Sequence, residues 1–581
     1  MNRKLLHFFV PLLFVLTCVI FVACKPSLKE LPAPQNLEIF ERVITWDKVD
    51  GAIGYTVFVN EEEYEVSETS FSLLSITEGT YYINVMAVGD GEKNTNSVAT
   101  SLTFNLHAPK PLLKDEKGLY YSLLPDGTGY EVTRGKNSVN SESLSGTIVI
   151  PDFVYDYPVK SIGDEAFSLP SKDSNCFTEV GCNKVTTGLV LPRHLETIKN
   201  GAFRCMVNLK EVVIPESVKD IEGGAFDGCK RLTSVVLPSG LKDIKMYAFR
   251  NTALKSLDLP DGLQRIEPFA FACPTDEYKE TFGGIVIEHI SSELSFVEIP
   301  ASVKEIHYCA FQGRENLKDI SILSHDFEIF DNAVFADTAW YKSHPEGIMY
   351  LDHILYGYKG EMPVDTTLTV PENIEFVAGE AFFNQANLAK VVLPDGLKLI
   401  GRYAFNGCTS LKEVIFSNSL TVIGDYAFGY TSNLTEINLP SSLKQIGMGA
   451  FSGSGLVNLV FPNGLEKIGV GAFAMCNALE KVTLPDALKT LERNAFSNCS
   501  SLKKIVIPSG IESIERDTIL NCKALEVVYF KGTQTEWNTV VGADNFLYND
   551  KMCFYSQTQP TEEGNYWHYV NGEIVLWTKD N

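Results

Sequence analysis

A phenylalanine returning about every 23 residues, a Leu-x-x-Val-x-Ile phrase inside each interval and a proline closing that phrase predict a mainly β fold. The expected architecture is a leucine-rich repeat solenoid, one strand per coil, preceded by a small β-sandwich. Phe203, Phe226, Phe249 and Phe271 are spaced 23, 23 and 22 apart. Phe382, Phe405, Phe428, Phe451, Phe473 and Phe496 follow at 23, 23, 23, 22 and 23, and Ile519 takes the next place after another 23.

From the N-terminus, Met1-Asn2-Arg3-Lys4 is positive and Leu5–Val22 is apolar, the pattern of a secretion signal over residues 1–23. Phe21-Val22-Ala23-Cys24 resembles a bacterial lipobox, with phenylalanine where leucine is usual. The resemblance implies export and lipid attachment at Cys24, with residues 24–32 as a tether. An uncleaved membrane anchor is the competing reading, because the apolar run is long for a signal.

Residues 33–107 change texture. Short alternating stretches separated by turns predict strands, with Trp46 and Tyr55 facing a sandwich core and Tyr82 on a later strand. The phrase ITWDKVDGAIGYTVFVN resembles a fibronectin type III domain, which implies a spacer. His107-Ala108-Pro109-Lys110-Pro111 reads as a stiff linker, and residues 112–167 as an N-terminal cap of the solenoid.

The coils occupy 168–530. In Leu209–Pro215, alternation turns Val212 and Ile214 inward and Glu211 and Val213 outward, and Pro215 ends the strand because it has no N–H. The Ala-Phe pair fills the far side, so the phenylalanines are expected to stack along the axis. Intervals of 36, 40 and 47 residues end at Phe203, Phe311 and Phe382 and place insertions near 168–187, 272–293 and 336–370. The last holds Trp340, Tyr341, Tyr350, Tyr356 and Tyr358, as an extra coil or as a protruding aromatic lobe. After Phe530 the rhythm stops, and residues 531–581, with Trp537, Trp567 and Trp577, read as a C-terminal cap over the exposed end of the core.

Cys229, Cys408, Cys476, Cys499 and Cys522 stand three residues after the repeated phenylalanine or Ile519. One thiol per coil gives parallel side chains rather than tetrahedral convergence, so these are packing residues, not metal ligands. Of the 13 cysteines, Cys176 and Cys182, in an insertion, are the plausible disulfide.

The nine histidines are scattered, and no zinc-protease, nucleophile-elbow or phosphate-loop spacing occurs. His344 and His353 flank the aromatic insertion without ligand partners at metal-binding spacing, and read as hydrogen-bonded or solvated. No enzyme, cofactor or metal site is expected. A formal charge of −24 argues against a nucleic-acid partner.

The outward strand position reads Val213, Val236, Asp258, Glu298, Ser321, Val392, Ile415, Asn438, Val460, Thr483, Val506 and Tyr529. Its apolar members, Val213, Val236, Val392, Ile415, Val460, Val506 and Tyr529, form the expected protein-binding face, since an exposed apolar stripe marks a partner. The competing account is that β-branched residues simply suit strands and are half covered by neighbouring charged side chains. A second functional reading, polysaccharide capture, uses Trp340, Tyr341, Trp567 and Tyr569 as stacking platforms.

The GAF-x-GC-x-SL-x-x-V-x-IP rhythm over residues 115–581, with YPVKSIGDEAF, AWYKSHPEG…LYGYKG and GNYWHYVNG, resembles the BspA-like leucine-rich repeat proteins of bacterial surfaces. The resemblance implies a membrane-anchored surface lipoprotein, at the outer membrane or cell surface, acting as an adhesin or binding scaffold for host or bacterial proteins. The shared residues are structural, so it carries over no binding residue.

Overall fold

The computed structural model describes residues 28–40, 42–73, 75–77, 79–106, 110–134, 145–168, 183–273, 292–331, 333–543, 546, 548–561 and 564–577. The secretion signal, Cys24, the linker residues 107–109, Cys176 and Cys182 therefore lie outside the described residues, as do large parts of the first two insertions. The chain divides into two compact units: residues 1–110 with two short segments, and the remainder.

The N-terminal unit contains two antiparallel sheets. One has the order Glu38–Phe40, Val43–Thr45, Ser70–Ser72; the other runs Glu62–Val66, Gly54–Val59, Gly79–Val88, Thr100–Leu106. Between them sit Ile44, Trp46, Val57, Ile83, Val85 and Ala87, all buried. Trp46 packs edge-on against Tyr55 at 5.3 Å, and the Tyr55 hydroxyl accepts the Val49 N–H at 2.8 Å. Tyr82 points the other way, into solvent, while its neighbour Ile83 is fully buried.

The second unit is the predicted solenoid, of about 15 turns. Its first rungs are an antiparallel run, Leu112–Lys114, Tyr120–Leu123 and Tyr130–Thr133, which then pairs in parallel with Tyr157–Ile162. Most regular coils add a strand to a parallel ladder, as in Thr366–Thr369, Leu388–Val392 and Glu413–Ile415, but Leu254–Pro260 and Leu434–Pro440 form no strand, so the long strands fall into separate sheets. Val212 and Ile214 are buried and Glu211 and Val213 exposed, the alternation expected of a strand with one face on the core. A second ladder of two-residue strands runs alongside, through Phe376–Val377, Leu399–Ile400, Val422–Ile423, Gln445–Ile446 and Lys467–Ile468. One strand per coil was thus too few.

The phenylalanines form two stacks. Phe167, Phe203, Phe226, Phe249, Phe271, Phe311 and Phe335 lie 5.1–5.6 Å apart, centroid to centroid. Phe382, Phe405, Phe428, Phe451, Phe473 and Phe496 repeat this at 5.2–5.4 Å. The residue two before each ring turns the chain through the left-handed region: Gly224 at φ 63° and Gly471 at φ 62° do so without strain, Tyr247 at 61° and Tyr426 at 53° with it. Glycine recurs for another reason at Gly401, Gly424, Gly447 and Gly469. A Cβ there would fall 2.5, 2.8, 2.6 and 2.6 Å from backbone of the preceding coil.

Between the stacks, residues 336–370 are an extra coil built on a hairpin. Gly347–Leu351 pairs antiparallel with Ile354–Lys359, and the latter takes a rung of the short-strand ladder beside Phe376–Val377. At the C-terminal end, Met552–Tyr555, Tyr566–Val570 and Glu573–Leu576 extend the long-strand ladder beyond Val527–Phe530. The short helix Gln534–Trp537 begins with a capping box between Thr533 and Glu536.

Candidate functional site

The long strands set outward residues of neighbouring coils side by side in short columns, one for each sheet, while Asp258 and Asn438 lie in coils that form no strand. Val213 is 64% exposed, Val236 50%, Ile415 45% and Val460 77%, while Val392 is half-buried. Parallel register sets Val213 beside Val236 and Val392 beside Ile415, so each pair is contiguous. Exposed Asp258 and Glu298 separate the two stretches.

Two members of the predicted column do not belong to the open stripe. Val506 and Tyr529 are 2% and 7% exposed, clustered with Cys553 and Trp567. The C-terminal strands fold across them, and the Tyr529 ring meets Trp567 edge-on at 5.7 Å. Two others were missed: Val149 and Val190, both exposed, pair with each other one rung before Val213. Their signal, a valine two residues before proline in GTIVIP and GLVLP, is legible once the 36-residue interval is recognised as a normal rung.

The four aromatic platforms do not assemble. Trp340 is buried against Phe335, His344 and Tyr356, its ring 4.9 Å from that of Tyr356. Trp567 is fully buried and its Nε1–H donates to the Phe530 carbonyl at 3.0 Å. Tyr341 is half-buried beneath the Lys359 ammonium, and only Tyr569 is well exposed. An indole that fills a core cannot also stack on a sugar.

The two histidines that flank the aromatic insertion are engaged. His344 Nδ1 lies 2.8 Å from the Trp340 carbonyl, and His353 Nε2 lies 2.7 Å from that of Ser324 while its ring stacks on His325. His307 sits between Asp331 at 3.7 Å and Glu305 at 3.0 Å, and these carboxylates, Asp331 foremost, raise its pKa against the opposing effect of burial. A groove at the phenylalanine side is lined by Glu222, Asp227, Lys245, Tyr247, Arg250 and Glu267. Several of its charges pair with one another: Asp227 with Arg250 at 2.7 Å and Arg204 at 3.4 Å, and Lys245 with Glu267 at 3.2 Å. Among the described residues no His, Cys, Asp and Glu group is arranged to hold a metal ion.

The thiol ladder is structural. Cys229, Cys408, Cys476, Cys499 and Cys522 are buried thiols, and each donates to the carbonyl of the phenylalanine one coil earlier at 3.1–3.2 Å. Thr252 and Thr431 occupy the same slot and bond their own coil's phenylalanine carbonyl at 2.7 Å. In one coil the slot holds Arg314, fully buried, whose guanidinium donates to the Phe249, Thr252 and Phe271 carbonyls and to the Thr252 and Ser292 hydroxyls. Cys205, passed over in the sequence, is disulfide-bonded.

The sequence pattern of the BspA type leucine rich repeat region matches in six copies, over residues 137–276, 288–344, 365–457 and 421–549. Among solved structures, a leucine-rich repeat protein from Bacteroides ovatus is 23% identical, covering 76% of this chain and 98% of its own, with a TM-score of 0.33. A leucine rich cell surface protein from Faecalibacterium prausnitzii is 20% identical over 75% of this chain and 98% of its own, TM-score 0.27. The T. pallidum leucine rich repeat protein is 30% identical over 30% of this chain and 82% of its own, TM-score 0.27. No curated protein matches the chain.

Proposed function

The chain belongs to the BspA-type leucine-rich repeat family, and from that premise we propose that it is a cell-surface lipoprotein whose solenoid is a non-catalytic scaffold for an extracellular protein, host or bacterial. Cys24 is the proposed lipid attachment point, and residues 33–107 a fibronectin type III-like spacer between the anchor and the coils. The spacer reading is supported by three- and four-stranded sheets closing over Trp46 and Tyr55.

The observation that carries the binding reading is the exposure of Val149, Val190, Val213 and Val236 in successive coils, on two neighbouring two-stranded sheets. β-branching favours the strand wherever it faces, but the apolar surface of a residue facing water contributes burial energy only when a partner covers it. Covering each with a partner's side chain contributes about 1 kcal/mol by area, and the polar rim fixes register rather than affinity. Ile415 and Val460 offer a second foothold along the same face.

The test is binding of biotinylated protein, residues Lys25 to Asn581, to arrays of extracellular host proteins and of polysaccharides at physiological salt. Saturable protein hits lost on Val213→Glu with Val236→Glu, at unchanged melting temperature, are the expected result. Hits that survive both substitutions, or hits confined to polysaccharides, overturn it.

A further inference from the structure

The two edges of the four-stranded sheet in the N-terminal unit are built differently. One edge strand, Glu62–Val66, pairs among the described residues with Gly54–Val59 alone and carries Glu62, Glu63 and Glu65, all exposed. Charged side chains on an edge deter pairing with another strand. The other edge, Thr100–Leu106, reads Thr-Ser-Leu-Thr-Phe-Asn-Leu, with no charge and no proline, and its register with Gly79–Val88 is unbroken from Val85↔Thr100 to Gly79↔Leu106.

Hydrogen-bond alternation fixes which groups of that strand look outward. The Asn60 N–H donates to the Tyr82 carbonyl and the Tyr82 N–H to Asn60 Oδ1, both at 2.8 Å, so Tyr82 turns its backbone groups toward Gly54–Val59. Its partner on the other side, Thr103, is then in a non-hydrogen-bonded pair, as are Ser101 and Asn105 two residues away. The N–H and C=O groups of Ser101, Thr103 and Asn105 thus point away from the sheet. No backbone partner for them occurs among the described residues, and their side chains are exposed. Leu102 and Phe104 lie half-buried on the core side.

We propose that this edge pairs with the same edge of a second copy of the chain, antiparallel about a two-fold axis through Thr103. That register sets Thr103 against itself and Ser101 against Asn105 of the other copy, and every outward N–H and C=O of the three residues finds its complement. Leu102 of one copy meets Phe104 of the other on the core side. No like charges face each other, and neutral polar pairs suit cross-strand positions. The acidic edge treated the same way about Tyr64 would set Glu63 against Glu65, so association is directed to one edge. The match of the segment with its own reverse favours a second copy over an unrelated strand.

Cysteine cross-linking in the protein from Lys25 to Asn581 tests this. Cα atoms of a hydrogen-bonded antiparallel pair lie about 5.5 Å apart, within disulfide reach. Thr103→Cys oxidised with diamide is expected to give covalent dimer at least tenfold faster than Tyr64→Cys on the acidic edge. In sedimentation equilibrium the unsubstituted protein is expected to move from one copy toward two as concentration rises. Thr103→Lys, with unchanged circular dichroism, should weaken that association tenfold or more. Equal cross-linking at the two edges, a mass of one copy at every concentration, or a dimer indifferent to Thr103→Lys overturns the proposal.

Discussion

The Cys499 thiol donates a hydrogen bond to the carbonyl of Phe473, 3.1 Å away and one coil earlier. The same link recurs at four other rungs, so each thiol adds a donor to a buried phenylalanine carbonyl, which in four of the five coils also accepts a turn amide, that of Met206, Gln385, Ser454 or Cys476. Burial pushes the Cys408 thiol up to about 12 and the Cys476 thiol up to about 11, which suppresses the nucleophilic thiolate. Native protein at pH 8 is expected to leave Cys408 and Cys476 unmodified by iodoacetamide, with labelling only on unfolding. Mass spectrometry of the two peptides checks this. Cys408→Ala should cost about 1 kcal/mol, because the Phe382 carbonyl loses its thiol donor but keeps the Gln385 N–H at 3.1 Å, and Cys408→Ser less, because Ser454 already fills this slot in another coil.

Phe428 lies between Phe405 at 5.2 Å and Phe451 at 5.3 Å, with Phe416 edge-on at 5.7 Å. Phe428→Ala is expected to cost roughly 3–5 kcal/mol. In a repeat array the loss is local, so hydrogen exchange should rise most in the coils on either side. An unchanged denaturation midpoint would refute the stacking account.

Two glycines give opposite forecasts for one chemical change. A Cβ on Gly424 would meet the Arg402 amide nitrogen and the Gly401 carbonyl carbon at 2.8 Å, whereas on Gly464 nothing lies nearer than the flexible Lys444 ammonium at 3.5 Å. Gly424→Ala should destabilise by about 1–3 kcal/mol through overpacking, and Gly464→Ala should change stability by about 0.5 kcal/mol or less. Urea denaturation of the pair decides whether coil contact, rather than glycine entropy, sets the requirement.

His307 carries a pH dependence whose sign is fixed by its neighbours. Asp331 and Glu305 raise its folded pKa, and Glu305 is itself held by Arg265 at 2.6 Å. A raised folded value means the stabilisation is fully present below an unfolded histidine's pKa of about 6.5 and fades as pH rises through the folded value. The stability gap between the protein and His307→Gln should therefore be larger at pH 5.5 than at pH 9. A gap that is flat or widens with pH would remove the charged histidine from the account.

The parts of this fold legible in the sequence are those written once per coil. Phe428 and Val212 declare themselves through period and alternation, because every rung needs the same ring and the same inward residue. The short-strand ladder escaped notice because two residues, such as Leu399–Ile400, cannot show an alternation. Val149 and Val190 were lost to an insertion that disturbed the count, not the rung. Val506 and Tyr529 carry the outward signature and are buried all the same, since their cover, Trp567, is remote in sequence and lies outside the repeat. Trp340 failed as a platform for a related reason: nothing local distinguishes an indole that fills a core from one that faces water. Arg314, in a slot whose usual occupant is small, was not singled out from the sequence, because its partners at Phe249, Thr252, Phe271 and Ser292 come from other coils.

The ring stack also has a bearing on tolerance. Phe271 and Phe311 stack at 5.1 Å although 40 residues separate them, and Phe167 and Phe203 at 5.2 Å across 36. Their geometry matches that of rings 23 apart, so the column is blind to the length of chain between its members. Doubling a loop adds only about 0.6 kcal/mol of closure entropy. The segments just after Phe167 and Phe271 are accordingly natural docking ports for foreign sequence: an epitope, a fluorophore-bearing tag or a whole small domain could be spliced there while the coils on either side close as before.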